Sequence, residues 1–330
     1  MKKRKKIFII LGSVFLFIIF LMYGPITYFK DLWITSAMTT YNHKFLATFF
    51  YSDKTIQKVL DRNKVIIPDF NTNLDLIDID NSNINYDKYD KEILTKDKGN
   101  NLYKVIEIKG TTFTGFLTVI YNPSKISLAT TKYIGKKGEL ITDMAKDNNA
   151  IISINGGGFY DPLFNGDGGL PSGILIQNNK IINNVSSNNH ESGIIGFTND
   201  NKLFLGNVTA EKALELGIRD CVEFGPFLIV NGKSSSISGN GGWGYAPRTV
   251  IGQRSDGIVL FLTIDGRKIN SLGADMVQLT KIMEKYKVIN AANLDGGSST
   301  ALVINNKIIN SPTANTDNGL RNINNSWYVK

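Results

Sequence analysis

Asp295 lies in the run Ala291-Ala292-Asn293-Leu294-Asp295-Gly296-Gly297-Ser298-Ser299-Thr300. One carboxylate is followed at once by two glycines and three hydroxyls. Glycines let a ligand or a second backbone come close, and they accept φ > 0. Their amides, together with Ser298, could cradle an anion or sugar oxygens. An ordinary tight turn would use the same glycines, so this stretch alone does not decide. Comparable groups occur elsewhere: Asn155-Gly156-Gly157-Gly158, the Pro171-Ser172-Gly173 corner, Pro247-Arg248-Thr249, and Asp265-Gly266-Arg267. Arg248 carries a planar fork suited to phosphate or carboxylate; a structural salt bridge would also use it. Asp265 and Asp295 could serve as acid and base, as nucleophile or as ligands of sugar hydroxyls, and turn capping competes with all of these. Glu223 sits in an apolar run, where a carboxylate needs a partner. Trp243, inside the glycine-rich loop 239–244, and Tyr245, directly after it, offer faces for sugar stacking.

Strand ends must hold these groups in place. Alternating or continuous apolar runs predict strands over 103–108, 116–120, 126–130, 150–154, 174–177, 181–182, 193–197, 203–205, 258–264 and 301–304. Val222–Val230 reads as one long strand interrupted at Gly225-Pro226, with a hairpin signal at Asn231-Gly232. Helices are predicted over 55–62, capped from Ser52 or Asp53, over 140–145 and 210–216, and over Asp275–Tyr286, where Met276, Leu279, Ile282, Met283 and Tyr286 share a face. The fold class is therefore α+β, with mixed twisted β-sheets and a few packed helices.

The chain has 330 residues and a net charge of +8, but Lys2, Lys3, Arg4, Lys5 and Lys6 supply five of those charges. The remaining three do not make a nucleic-acid surface. Cys221 is the single cysteine, and His43 and His190 are the two histidines, far in sequence from the glycine-rich groups. That disfavours Ser-His-Asp and Cys-His catalysis and a histidine-rich zinc site. No metal and no cofactor are expected, and no glycine-rich loop has P-loop spacing.

Residues 7–29 carry no charge, long enough as a helix to span the hydrocarbon core. A cleaved signal peptide would have a shorter apolar run ending in small residues, so residues 1–30 are read as a basic tail and uncleaved anchor. The basic residues keep the N-terminus cytoplasmic and place the rest outside. Residues 31–101 are crowded with Asn and Asp from 69 on, which favour turns; they are read as a spacer, or alternatively as an outer layer of the domain. Residues 102–330 form the main domain.

Six groups, in this order, carry a family resemblance: Asn155-Gly156-Gly157-Gly158-Phe159, Pro171-Ser172-Gly173, Gly225-Pro226-Phe227, Pro247-Arg248-Thr249-Val250-Ile251-Gly252, Asp265-Gly266-Arg267 and Asn293-Leu294-Asp295-Gly296-Gly297-Ser298-Ser299. The pattern resembles the phosphodiester glycosidase family, whose animal member releases N-acetylglucosamine from a sugar-1-phosphodiester. The cysteine pairs of that animal enzyme are absent here. The resemblance, over about 102–330, implies cleavage between an anomeric carbon and a phosphodiester oxygen. Phosphate is a good leaving group, so the main need is to stabilise its charge and an oxocarbenium-like sugar. Arg248 with the 156–158 amides could do the first; Asp295 or Asp265 could do the second or activate water. The expected catalytic set is Asp295, Asp265, Arg248 and Glu223. The expected substrate contacts are Asn155, Gly156, Gly157, Gly158, Gly173, Trp243, Thr249, Gly296, Gly297 and Ser298. The expected substrate is a sugar-phosphate or polysaccharide of the cell wall or an exopolysaccharide. A non-catalytic glycan-binding module is the alternative.

Overall fold

The computed structural model describes residues 2–40, 43–68, 71–79, 87–161, 167–185 and 193–330. His190 lies outside them. The chain divides into two units, one of Met1–Lys64 with Ser238–Gly244, the other of Val65–Ile237 with Tyr245–Lys330.

The first unit is helical. Its long helix, Lys2–Tyr23, contains one stretch, Lys5–Tyr23, long and apolar enough to cross a membrane. Shorter helices follow at Thr27–Met38, Phe45–Thr48 and Asp53–Arg62. The last starts where Ser52 accepts a hydrogen bond from the Thr55 amide, and it buries Ile56 and Val59 on one side. They close a small core with Ile34, Ala37, Ala47 and Tyr51. Arg62 and Asn63 bind the Asp31 carboxylate and tie the ends of this bundle.

The second unit holds the glycine-rich groups and strand ends named above. Three sheets dominate it, and every ladder within them is antiparallel. The mixture of the α+β class is thus one of helices and sheets, since hairpins and short connections favour antiparallel pairing. In spatial order the seven-stranded sheet runs Lys233–Ser234, Phe227–Val230, Val288–Asn293, Arg248–Arg254, Val259–Ile264, Thr114–Ile120 and Tyr103–Lys109. A five-stranded sheet contains Leu302–Ile304, Ile152–Asn155, Asn325–Val329 and Ile126–Thr130; another contains Gly193–Thr198, Ile218–Phe224 and Leu175–Gln177. Inward-facing residues of all three make one core. It includes Ile154, Phe197, Phe227, Phe261 and Trp327, with Phe197 edge-on to Trp327 at 5.5 Å.

Two findings depart from the sequence reading. Val222–Val230 is not one strand. Ile218–Phe224 belongs to a five-stranded sheet and Phe227–Val230 to the seven-stranded one, so Gly225-Pro226 carries the chain between sheets. The division of the chain falls at Lys64 rather than at Asn101. Within the expected spacer, Lys88–Leu94 is a helix with a capping box from Asp87 and Asp90. Ile77 and Ile93 are fully buried.

Candidate active site

Antiparallel pairing brings three of the expected groups to one end of the seven-stranded sheet. Arg248 opens its strand opposite Ile264, and Asp265 follows Ile264 directly. On the other flank Val250 pairs with Asn293, two residues before Asp295. The end of a neighbouring five-stranded sheet adds Asn155.

Asn155 works as a clamp. Its Nδ2 donates to the Asp295 carbonyl at 2.6 Å, and its Oδ1 accepts from Thr249 Oγ1 at 2.7 Å and from the Ala301 amide at 3.2 Å. The Asp295 amide donates to Gly156 O. Asn155 and Thr249 are buried and committed to holding the loop. The glycine run is committed too. The Gly156 and Gly157 amides donate to Asn325 O and Oδ1, at 3.2 and 2.8 Å. Two of the three amides expected to cradle phosphate are therefore engaged within the protein. A Cβ on Gly156 would stand 2.0 Å from Asn325 Oδ1 and one on Gly158 2.7 Å from Ser172 Oγ, so close packing accounts for these glycines. Gly173 makes room for Glu223, whose Oε2 accepts from the Ile174 amide at 2.9 Å.

The two aspartates separate clearly. Asp265 is buried, and its Oδ1 accepts from the Ser311 amide at 2.7 Å and from Asn310 Nδ2 at 3.3 Å. It anchors the segment that packs behind the site. Asp295 keeps some solvent access. Burial pushes its carboxyl above the usual carboxylate range, against the pull of Ser299, Arg321, the Gly296 amide and Arg267.

Three guanidinium groups lie close enough to Asp295 for their charges to act on it. Arg248 is buried, with its Nε on Ala274 O at 3.2 Å. Burial first, and Arg267 second, push its pKa down to about 9, still protonated at neutral pH. Arg267 takes φ +56° and donates from Nη1 to Ser298 Oγ at 2.9 Å. Its pKa is lowered by burial and by Arg321, and Asp295 opposes this. Arg321 pairs with Asp161 at 3.1 Å and lies over the Phe159 ring at 4.4 Å. Gly296 and Gly297 fit between these groups. Gly297 takes φ +59°, its amide donates to Pro247 O, and a Cβ there would meet Arg267 Nη2 at 2.9 Å.

The structure thus joins Asp295, Arg248, Gly296, Gly297 and Ser298 in one cluster. Asn155, Thr249 and Asp265 form the frame beneath it. Gly173 packs against Glu223, while Val222 and Phe224 lie against Gly157 and Gly158. Trp243 belongs to the helical unit, where its carbonyl accepts from Thr39 Oγ1. Arg267, Arg321 and Asp161 received no role from the sequence. Arg267 stood in a quoted motif, and its direct sequence to Asp265 was the available signal. Arg321 lies in a polar tail without any pattern. Among the described residues no group of three His, Cys, Asp or Glu side chains is placed to hold a metal ion.

A family model for phosphodiester glycosidases matches residues 148–330, more than half of the chain. The chain belongs to the phosphodiester glycosidase family. This phosphodiester glycosidase domain is similar in fold to the catalytic domain of zebrafish N-acetylglucosamine-1-phosphodiester alpha-N-acetylglucosaminidase, a structure auto-inhibited by its pro-peptide. The TM-score is 0.57 at 21% identity, covering 69% of this chain and 81% of that one. A hypothetical protein from Synechocystis gives a TM-score of 0.51 at 14% identity, over 69% and 62% of the two chains. The SPbeta prophage-derived uncharacterized protein YomE of Bacillus subtilis (strain 168) is 27% identical over 202 residues, 58% of this chain. The matched part is 30% of that relative's length.

Proposed function

We propose that this phosphodiester glycosidase is a hydrolase that cleaves a sugar-1-phosphodiester in a cell-wall polymer or exopolysaccharide. The observation that carries the reading is one carboxylate, Asp295, on a glycine loop whose Gly296 packs beside Arg248 and whose Gly297 and Ser298 meet Arg267. In the proposed step the bond between the anomeric carbon and the bridging oxygen breaks, and that oxygen leaves with the phosphate. Water delivers OH to the anomeric carbon and its proton passes to solvent. Arg267 and Arg248 oppose the charge that develops on the phosphate. Asp295 stabilises the oxocarbenium-like sugar or activates the water. Asp265, held by Ser311 and Asn310, keeps the frame in register.

The Lys5–Tyr23 helix serves in this reading as an uncleaved anchor, with Lys2–Lys6 on the cytoplasmic side and the catalytic unit outside. Incubating the purified full chain with a panel of sugar-1-phosphodiesters and sugar nucleotides should release free sugar from at least one. Binding of such glycans with no release by the wild-type protein would instead support a glycan-binding module.

A further inference from the structure

We infer that the segment around Phe45–Thr48 is a second, shallow membrane contact, in which Phe45, Phe49 and Phe50 enter the lipid interface beside the end of the spanning helix. This rests on the anchor reading given above. The spanning stretch Lys5–Tyr23 is 19 residues, so a bilayer core of about 30 Å brings Tyr23 to the level of the headgroups.

Residues 50 and 51 are fastened to that last turn. Tyr23 donates from its hydroxyl to Phe50 O at 2.9 Å. Tyr51 donates to Met22 O at 3.1 Å, and the two tyrosine rings lie 5.5 Å apart. Whatever depth Tyr23 takes, this segment shares it.

The segment presents an apolar outer side there. Ala47 faces the small core and is fully buried, whereas Phe45 is 60% and Phe49 81% exposed. The rings of Phe49, Phe50 and Trp33 are continuous. Phe49 lies edge-on to Phe50 at 5.0 Å, and Phe50 edge-on to Trp33 at 6.4 Å. Trp33 satisfies its polar tip by donating to Leu46 O at 2.7 Å and turns its ring body outward, 41% exposed. Amphipathic aromatic rings at the level where a spanning helix leaves the bilayer form the belt typical of membrane interfaces. A single exposed apolar side chain is ordinary, but contiguous apolar patches mark interaction sites. Lipid is the occupant because the patch is continuous with the end of the spanning helix. With two contacts, the helical unit sits on the membrane as a foot and does not swing from one tether.

The test uses the full chain in phosphatidylcholine vesicles. An environment-sensitive fluorophore is placed on Phe49→Cys in a Cys221→Ala background, and separately on Phe45→Cys. A label on Lys212→Cys, in the other unit, gives the aqueous baseline. A spin label on a shallow acyl position should quench residues 45 and 49 several-fold more than residue 212, with iodide showing the opposite order. Equal iodide access at 49 and 212 in protein that floats with the vesicles overturns the foot and leaves the anchor standing. Shielding from both quenchers means that a second copy or another protein covers the patch, and also overturns it. Protein that does not float, with its N-terminal tag intact, overturns anchor and foot together.

Discussion

At the scale of single residues the two aspartates make opposite predictions. Asp295→Asn should fold normally and lose roughly 10²-fold or more in turnover, as other general-base and electrostatic groups do. Asp265→Asn keeps an acceptor for the Ser311 amide, so it should lose far less, with most turnover retained. Steady-state kinetics on both variants checks the assignment; equal losses would return Asp265 to the chemistry. The raised pKa of Asp295 gives a second outcome. The working form is the carboxylate, so kcat/KM should rise with pH through a value above the ordinary carboxylate range of about 4. Its charge is also unfavourable to folding at pH values above that of the unfolded carboxyl. Asp295→Asn should therefore unfold at the same or a higher temperature than wild type at neutral pH, as thermal melts would show. Arg248→Lys keeps a charge and loses the planar fork, at a cost of roughly 2–3 kcal/mol in transition-state stabilisation on a phosphodiester. The cost should be much smaller on an uncharged aryl glycoside of the same sugar. Equal losses would mean that Arg248 only organises the loop under Gly296.

At the scale of elements, the site depends on strands whose ends are fixed by distant partners. The buried Arg254 donates to Asp90 and Asp256, each at 3.0 Å, and to Tyr286 O at 2.7 Å; Lys287 also binds Asp90. This network pins the helix Lys88–Leu94 to the strand that begins at Arg248. Asp90→Ala leaves the buried Arg254 with Asp256 but without its second carboxylate, and should cost about 1–3 kcal/mol in chemical denaturation. Burial raises the Asp90 pKa, but bonds from Lys287, the Asp87 amide and Arg254 outweigh it and hold it low. Its stabilisation is then present above the unfolded value near 4 and is lost as pH falls through the lower folded value. Acid unfolding should shift to higher pH in Asp90→Ala. Much of the fold was legible: the Met276–Lys285 helix announces itself through its Asp275 cap and through Met276, Leu279 and Met283. Helix 88–94 was hidden, because its Asn- and Asp-rich surroundings read as turns and its decisive partner, Arg254, is 164 residues away in sequence. The change of sheet at Gly225-Pro226 was visible as an interruption but not as a crossing. In the site, strand ends were readable because Asp, Asn and Gly follow apolar runs. The commitment of the glycine amides to Asn325 was not, since that partner comes from a strand far along the chain.

At the scale of the whole molecule, the proposed topology takes its orientation from the charge beside the Lys5–Tyr23 helix. In wall-stripped cells an impermeant thiol reagent should label Lys212→Cys and spare a cysteine at Lys5; the reverse pattern would place the catalytic unit inside. The central claim is which bond breaks, and isotope placement tests it most directly. Hydrolysis of a sugar-1-phosphodiester by the full chain in ¹⁸O-water should place the heavy oxygen on the anomeric carbon of the released sugar and none on the phosphate, with its rate of appearance falling by roughly 10²-fold or more in Asp295→Asn. Heavy oxygen on the phosphate would mean attack at phosphorus, and would contradict a glycosidase built on Asp295.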